Sequence, residues 1–114
     1  MLKITFEEKD EYVIVHLKGK LDLGSELYFK KKMEYLLERQ WYNLIFNMEN
    51  VEYINSFGLG VLTNVWRRVK NENGILKLAS LPDKIKRLFQ LTWLTKVFDI
   101  YETVEEAEKD FLES

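Results

Sequence analysis

The stretch VEYINSFGLGVL, Val51 to Leu62, sets one serine between an asparagine and a phenylalanine, followed by two glycines around a leucine. A hydroxyl at the mouth of an apolar run has two uses. It punctuates a helix by accepting a backbone N–H, or it stands free to be modified. The register of the helix start decides between them. If Ser56 is the N-cap, its oxygen is occupied by the N–H two or three residues on. If Asn55 is the N-cap, Ser56 is the first helical residue and its hydroxyl is unengaged. The flanks favour the second register, because it places Ile54 at N′ and Leu59 at N4, the two halves of a hydrophobic staple. A Ser56 cap would put Asn55 and Gly60 there, and no staple would form. The spacing therefore predicts that Asn55 caps and Ser56 points outward.

The chemistry that suits a free hydroxyl here is phosphorylation. Gly58 and Gly60 lie in the first two turns, where each costs ~0.5–1 kcal/mol relative to alanine. They bare backbone N–H groups and let another surface come near. A phosphate on Ser56 would gain ~0.3–1 kcal/mol from the helix terminus, so the fold tolerates an added charge of about −1.5 to −2. A partner covering the site would have to desolvate that dianion, at a cost of several kcal/mol unless it is paired. Modification would thus spare the domain and break a complex. The plain alternative is that the Asn–Ser pair is only helix punctuation.

Other groups offer less. His16 is the only histidine and lies mid-strand without acidic or cysteine neighbours at motif spacing, which reads as a structural role. With one histidine and no cysteine, no metal site is expected. No nucleophile elbow supports a serine triad, and SFGLG lacks the lysine and glycine spacing of a phosphate-binding loop. No catalytic residue and no cofactor are assigned. Lys30, Lys31 and Lys32 spread around a helix as a solvated face. Arg67 with Arg68, and Lys84 with Lys86 and Arg87, are either a basic rim or surface decoration. Asp22 follows a strand at the sheet end expected for Ser56. Asp22, Phe57, Gly58, Leu59 and Gly60 are therefore the expected partner-binding residues. Phe57 is read as exposed, since the stripe from Leu59 onward already fills the inner face.

The elements that position these groups are read by period. Leu2, Ile4 and Phe6 alternate in LKITF, a strand. In YVIVHL, Val13, Val15 and Leu17 share one face and Tyr12, Ile14 and His16 the other; the short acidic turn between the two implies an antiparallel hairpin. Phe29, Met33, Leu36 and Leu37 form a helical stripe, with Ser25 as its expected N-cap. LIFNM is a short apolar strand buried on both faces. Leu59, Leu62, Val65, Trp66 and Val69 give a second helix, ended by NENG with Gly74 as a left-handed cap. ILKLAS is a strand, and Pro82 opens a helix with Ile85, Leu88 and Phe89 inward. VFDIY is a last strand, and the capping box TVEE starts a helix with Val104, Ala107 and Phe111 inward.

The order β-β-α-β-α-β-α-β-α implies an α/β fold: a mostly parallel central sheet with one antiparallel edge strand and helices packed on it. Partners of such sheets meet the carboxyl ends of strands, and INSFG is placed in a loop there. The 114 residues are 46% hydrophobic and 14% aromatic, enough for one packed domain spanning 1–114. Seventeen basic against nineteen acidic residues leave a net charge of −2, which argues against nucleic acid as a partner. MLKITFEEKD has no basic, apolar leader pattern, and no run approaches the ~18 residues of a membrane span. A cytoplasmic location is expected.

Three segments carry a resemblance over nearly the whole chain: GKLD (Gly19 to Asp22) after the second strand, NMENVEYINSFGLGVL, and PDKIKRLFQLTWLTKVFDIYETVEEA. The chain resembles STAS domains, specifically the bacterial anti-sigma factor antagonists. The middle segment is the most specific and is similar to that family's signature of aspartate, serine, a small hydroxyl residue, glycine, an aliphatic residue and glycine. The resemblance implies a single STAS domain whose Ser56 is phosphorylated by a partner that is both a serine kinase and an anti-sigma factor. It implies that the dephosphorylated form binds this partner and frees the sigma factor, and that a PP2C-type phosphatase reverses the modification. The chain departs from the signature at Asn55, where the family carries aspartate, and at Phe57, where it carries a small hydroxyl residue. These departures motivate the alternative of a non-phosphorylated STAS scaffold module in a stress-signalling or lipid-transport complex. A monomer is expected.

Overall fold

The computed structural model describes residues 1–113. Strands β1 (Leu2–Glu8), β2 (Val13–Leu21), β3 (Asn43–Ile54), β4 (Ile75–Ala79) and β5 (Asp99–Tyr101) form one sheet in the order β1-β2-β3-β4-β5. The β1–β2 hairpin is antiparallel and every later pair is parallel. Helices α1 (Glu26–Glu38), α2 (Ser56–Asn71), α3 (Asp83–Leu91) and α4 (Val104–Glu113) connect and cover it.

The strand order explains which helix lies where. Parallel crossovers are right-handed, and this sheet grows in one direction without reversing. Successive crossover helices must then fall on the same face. The main core accordingly joins Phe29, Met33 and Leu36 of α1, Leu62, Val65 and Val69 of α2, and Ile85 and Phe89 of α3 to Val13, Val15 and Leu17 of β2. Helix α4 follows the last strand and is free of this constraint. It closes the opposite face, where Ala107 and Phe111 pack with Tyr12, Ile14, Ile45 and Ala79. Leu44, Ile45 and Phe46 are fully buried because both faces of β3 are covered.

Several local expectations are corrected. Ser25 sits at the N-cap of α1 but makes no cap bond to that helix; its hydroxyl serves Asp22 instead. The left-handed residue after α2 is Asn73 (φ 60°), not Gly74. Gly74 N–H bonds Val69 O and Asn73 N–H bonds Lys70 O, a Schellman ending with asparagine in the glycine place. Gly74 is required for another reason: a Cβ there would lie 2.1 Å from Tyr42 O. Strand β5 is shorter than VFDIY, leaving Val97 exposed and Phe98 in the core outside the ladder. Gly19 to Leu21 belong to β2 rather than following it.

The correction that matters most for the site is the length of β3. It runs to Ile54, so INSFG is not a loop, and Asn55 alone separates strand from helix. Beyond Asn47 the strand has left β4 and is paired only with β2, through Leu21 opposite Ile54. Shifts in register after His16 and Gly19 keep that pairing aligned.

Candidate regulatory site at the end of β3

Asn55 is the N-cap of α2. Its backbone is extended (φ −114°, ψ −171°) and its Oδ1 accepts the Gly58 N–H at 3.1 Å. Its own N–H donates to Leu21 O at 3.3 Å, and its carbonyl accepts from Leu59 N–H at 2.9 Å. One residue thereby ties the end of β2 to the first turn of α2. Ser56 is the first helical residue and is exposed. Its hydroxyl has no hydrogen-bond partner among the described residues. Gly58 and Leu59 have used their N–H groups, whereas those of Ser56 and Phe57 find no acceptor among the described residues. These are the orphan donors of a helix start, and they are the ones nearest the hydroxyl.

The two glycines have different causes. Gly58 is buried, and a Cβ there would stand 2.2 Å from Leu21 O. The close approach it allows is internal, between α2 and the end of β2. Gly60 is exposed and a Cβ there would meet nothing within 4 Å. No neighbour within the chain requires it. Leu59 is half-buried against the core, and Phe57 is 52% exposed.

Asp22 lies where the parallel register requires: it follows Leu21, the partner of Ile54, and so stands level with Asn55. It caps a short 3-10 turn, Leu23–Ser25, through a reciprocal box. Asp22 Oδ1 accepts Ser25 N–H at 3.2 Å, and Ser25 Oγ accepts Asp22 N–H at 3.0 Å. The other carboxylate oxygen has no partner among the described residues. Sequence reasoning missed three further members. Leu23, Leu27 and Tyr53 are 58%, 64% and 48% exposed around this end of the sheet. Their signal was legible in part, since Leu23 and Leu27 fall off the Phe29–Met33–Leu36 stripe and have no inward face to occupy. With Phe57 they are exposed apolar side chains on the segments next to Asp22 and Asn55.

Several of the other charged groups are engaged away from Ser56. His16 sits on the α4 face of the sheet, with Nε2 2.9 Å from Glu7 Oε1 and Nδ1 3.0 Å from Asn47 Nδ2. Asn47 Oδ1 is occupied by Glu49 N–H, so the amide presents its NH2 to Nδ1. That leaves Nε2 to donate to Glu7. Lys9 and then His16 hold the Glu7 carboxyl below its usual range. Arg68 pairs with Glu34 across α2 and α1, and Lys86 pairs with Glu102. Among the described residues no cluster of three acidic, histidine or cysteine side chains could hold a metal, and no helix is long and apolar enough to cross a membrane.

Comparison with known proteins agrees with this architecture. The STAS-domain family model matches residues 3–107. The chain belongs to the STAS family. The anti-sigma-B factor antagonist of Bacillus subtilis is 30% identical to this STAS domain over 99 residues, covering 87% of this chain and 90% of the relative. The crystal structure of a candidate anti-sigma factor antagonist from Thermotoga maritima superposes with a TM-score of 0.89 at 28% identity, covering 94% of this chain and 92% of the other. The phosphorylated form of the Bacillus cell-fate determinant SpoIIAA superposes with a TM-score of 0.75 at 22% identity, over 96% and 99% of the two chains; that likeness speaks to the fold alone.

Proposed function

We propose that this STAS domain is an anti-sigma factor antagonist, acting in the cytoplasm, that binds a serine-kinase anti-sigma factor through the surface around Ser56. Phosphorylation of Ser56 by that partner ends the binding, and a PP2C-type phosphatase restores it. The observation that carries this reading is the free hydroxyl of Ser56. Asn55 takes the capping duty, so the serine is left exposed at the first helical position, next to the exposed Phe57. The names of its relatives support the same assignment.

The chemistry is transfer from ATP held by the partner. The Ser56 oxygen attacks the γ-phosphorus, the bond to the β-phosphate oxygen breaks, and ADP leaves. The hydroxyl proton passes to a base of the kinase. The N–H groups of Ser56 and Phe57 and the start of a 16-residue helix then face the phosphate, a stabilising contact of ~0.3–1 kcal/mol. The domain is undisturbed while the docking surface is not. Leu23, Leu27, Tyr53 and Phe57 favour a dry interface, and a dianion at its centre costs several kcal/mol when covered.

The test is a pull-down from native extract with wild type and Ser56→Asp, followed by incubation of the recovered kinase with ATP and mass spectrometry. Wild type retains a kinase, Ser56→Asp loses it, and phosphate appears at Ser56 and not in Ser56→Ala. Phosphate elsewhere, or an unmodified chain recovered with a transporter ATPase subunit, refutes the reading and favours the scaffold alternative.

A further inference from the structure

The sheet has two edges and protects them differently. β5 is only three residues long, too short to template another strand. β1 has seven residues and is paired on one side only. The Ile4 N–H points away from β2, because it donates to the Tyr28 hydroxyl of α1 at 3.1 Å. In an antiparallel pair the outward residues alternate, so Leu2 and Phe6 face the same way as Ile4. Phe6 N–H has no acceptor among the described residues. The edge is thus held by a single side-chain hydroxyl, borrowed across a gap between strand and helix.

That gap is a groove of about 850 Å³ lined by Ile4, Thr5, Phe6 and Glu8 of β1 and by Tyr28, Lys31, Lys32 and Tyr35 of α1; its two lysines outnumber its one carboxylate. The helical members recur at i, i+3, i+4 and i+7, one ridge of α1 running alongside β1. Tyr35 stacks on Phe6 with ring centroids 5.8 Å apart, and Lys32 Nζ lies over the Phe6 and Tyr28 rings. On the other side of Tyr28 a second groove, of about 730 Å³, continues past Lys3 to Asp22 and Gly24. Lys3, Lys31 and Lys32 have no carboxylate partner among the described residues. The ion pairs found lie elsewhere.

We infer that the outer edge of β1, with the lysine-bearing ridge of α1, is a docking site for an extended acidic segment of a partner protein, which adds to the sheet as a sixth strand. Backbone pairing supplies the outward N–H and C=O groups of β1 with partners. Carboxylates on alternate residues of the segment, all on the α1 face of the sheet, meet Lys31 and Lys32. The Tyr28 hydroxyl is the placeholder that the incoming carbonyl displaces from Ile4 N–H. A second copy of this chain fits worse, since pairing β1 with its own copy brings two lysine ridges together. The site is independent of Ser56 and stands whether or not that residue is phosphorylated.

The test uses ¹⁵N-labelled protein and a capped peptide of alternating valine and glutamate, matched to the seven residues of β1. Saturable shifts and slowed hydrogen exchange are expected at the Ile4 and Phe6 amides. Binding weakens about tenfold in the double variant Lys31→Glu, Lys32→Glu, and about tenfold for a valine–lysine peptide. Tyr28→Phe keeps the ring, frees the Ile4 N–H and binds more tightly. Unchanged β1 amides at millimolar peptide, or equal binding of the valine–lysine peptide, overturns the inference. So does protection of Ile4 and Phe6 that rises with protein concentration alone, since it would assign the edge to self-association.

Discussion

Gly58→Ala and Gly60→Ala should move stability in opposite directions, although both glycines lie near the start of one helix. Replacing a helical glycine by alanine gains ~1 kcal/mol of propensity at either position. At Gly60 nothing opposes the gain, because a Cβ meets no atom within 4 Å. Gly60→Ala should therefore stabilise by ~0.5–1 kcal/mol, raising Tm by roughly 2–5 °C at this chain length. At Gly58 the new methyl would lie 2.2 Å from Leu21 O, 2.8 Å from Leu21 C and 2.9 Å from Leu21 Cβ. The carbonyl must retreat by about 1 Å to restore van der Waals contact, and that oxygen accepts the Asn55 N–H at 3.3 Å. Overpacking against backbone costs ~1–3 kcal/mol, and the strained bond to Asn55 costs ~1 kcal/mol more. Subtracting the helix gain leaves a net loss of ~1–3 kcal/mol.

The assay is urea unfolding followed by tryptophan fluorescence and circular dichroism, with midpoints compared at constant slope. A Gly58→Ala protein as stable as wild type would show that the Leu21 carbonyl yields freely, and the tie between β2 and α2 would lose its physical basis. Gly60→Ala has a second readout. If a partner approaches that bare stretch of helix, the stabilised variant should bind the recovered kinase more weakly while folding better. Equal binding would place Gly60 outside the interface.

Asn55→Ala removes the cap on Gly58 N–H and should cost ~1 kcal/mol in urea unfolding, whereas Asn55→Asp keeps the acceptor and should match or exceed wild type by ~0.3–1 kcal/mol. Ser56→Asp should leave the unfolding midpoint within ~1 kcal/mol of wild type, because its charge sits at a helix start; a larger loss would contradict the claim that modification spares the fold. Lys77, buried in β4, reaches Ala107 O at 2.9 Å and Asp110 at 3.1 Å across the α4 interface. Lys77→Met should stay within ~1 kcal/mol, while Lys77→Ala should cost about 2 kcal/mol and lower the hydrogen-exchange protection of α4. Burial and the Glu108 carboxylate push the Tyr12 phenol up to about 12, and burial and Asp110 do the same for Tyr101. The folded state therefore favours the neutral phenols, so their contribution is complete below about pH 10, the unfolded value, and is lost as pH climbs toward 12. Tyr12→Phe should flatten the alkaline fall in stability measured by urea titration.

What the sequence reveals about this molecule is what depends on near neighbours. The apolar periods of α1, α2 and α3 pick out the residues that fill the core, and the staple of Ile54 and Leu59 assigns the cap to Asn55 without any tertiary knowledge. What escapes is set by strands that meet across the fold. Asp22 beside Asn55 follows from the pairing of Leu21 with Ile54, more than thirty residues apart, and no local pattern encodes it. Strand β3 looks too short by sequence because Glu49, Asn50 and Glu52 are exposed where it leaves β4; its apolar alternation fades while its backbone ladder to β2 continues. The glycines make the point most directly. In sequence Gly58 and Gly60 are the same residue two positions apart, and both read as room for a visitor. The visitor at Gly58 is the chain's own Leu21 carbonyl. Only Gly60 is left vacant, one turn below an unengaged serine and beside an exposed phenylalanine. The helix forgoes ~1 kcal/mol of propensity there with no internal return, and under the proposed function the docked partner is what that bare backbone admits.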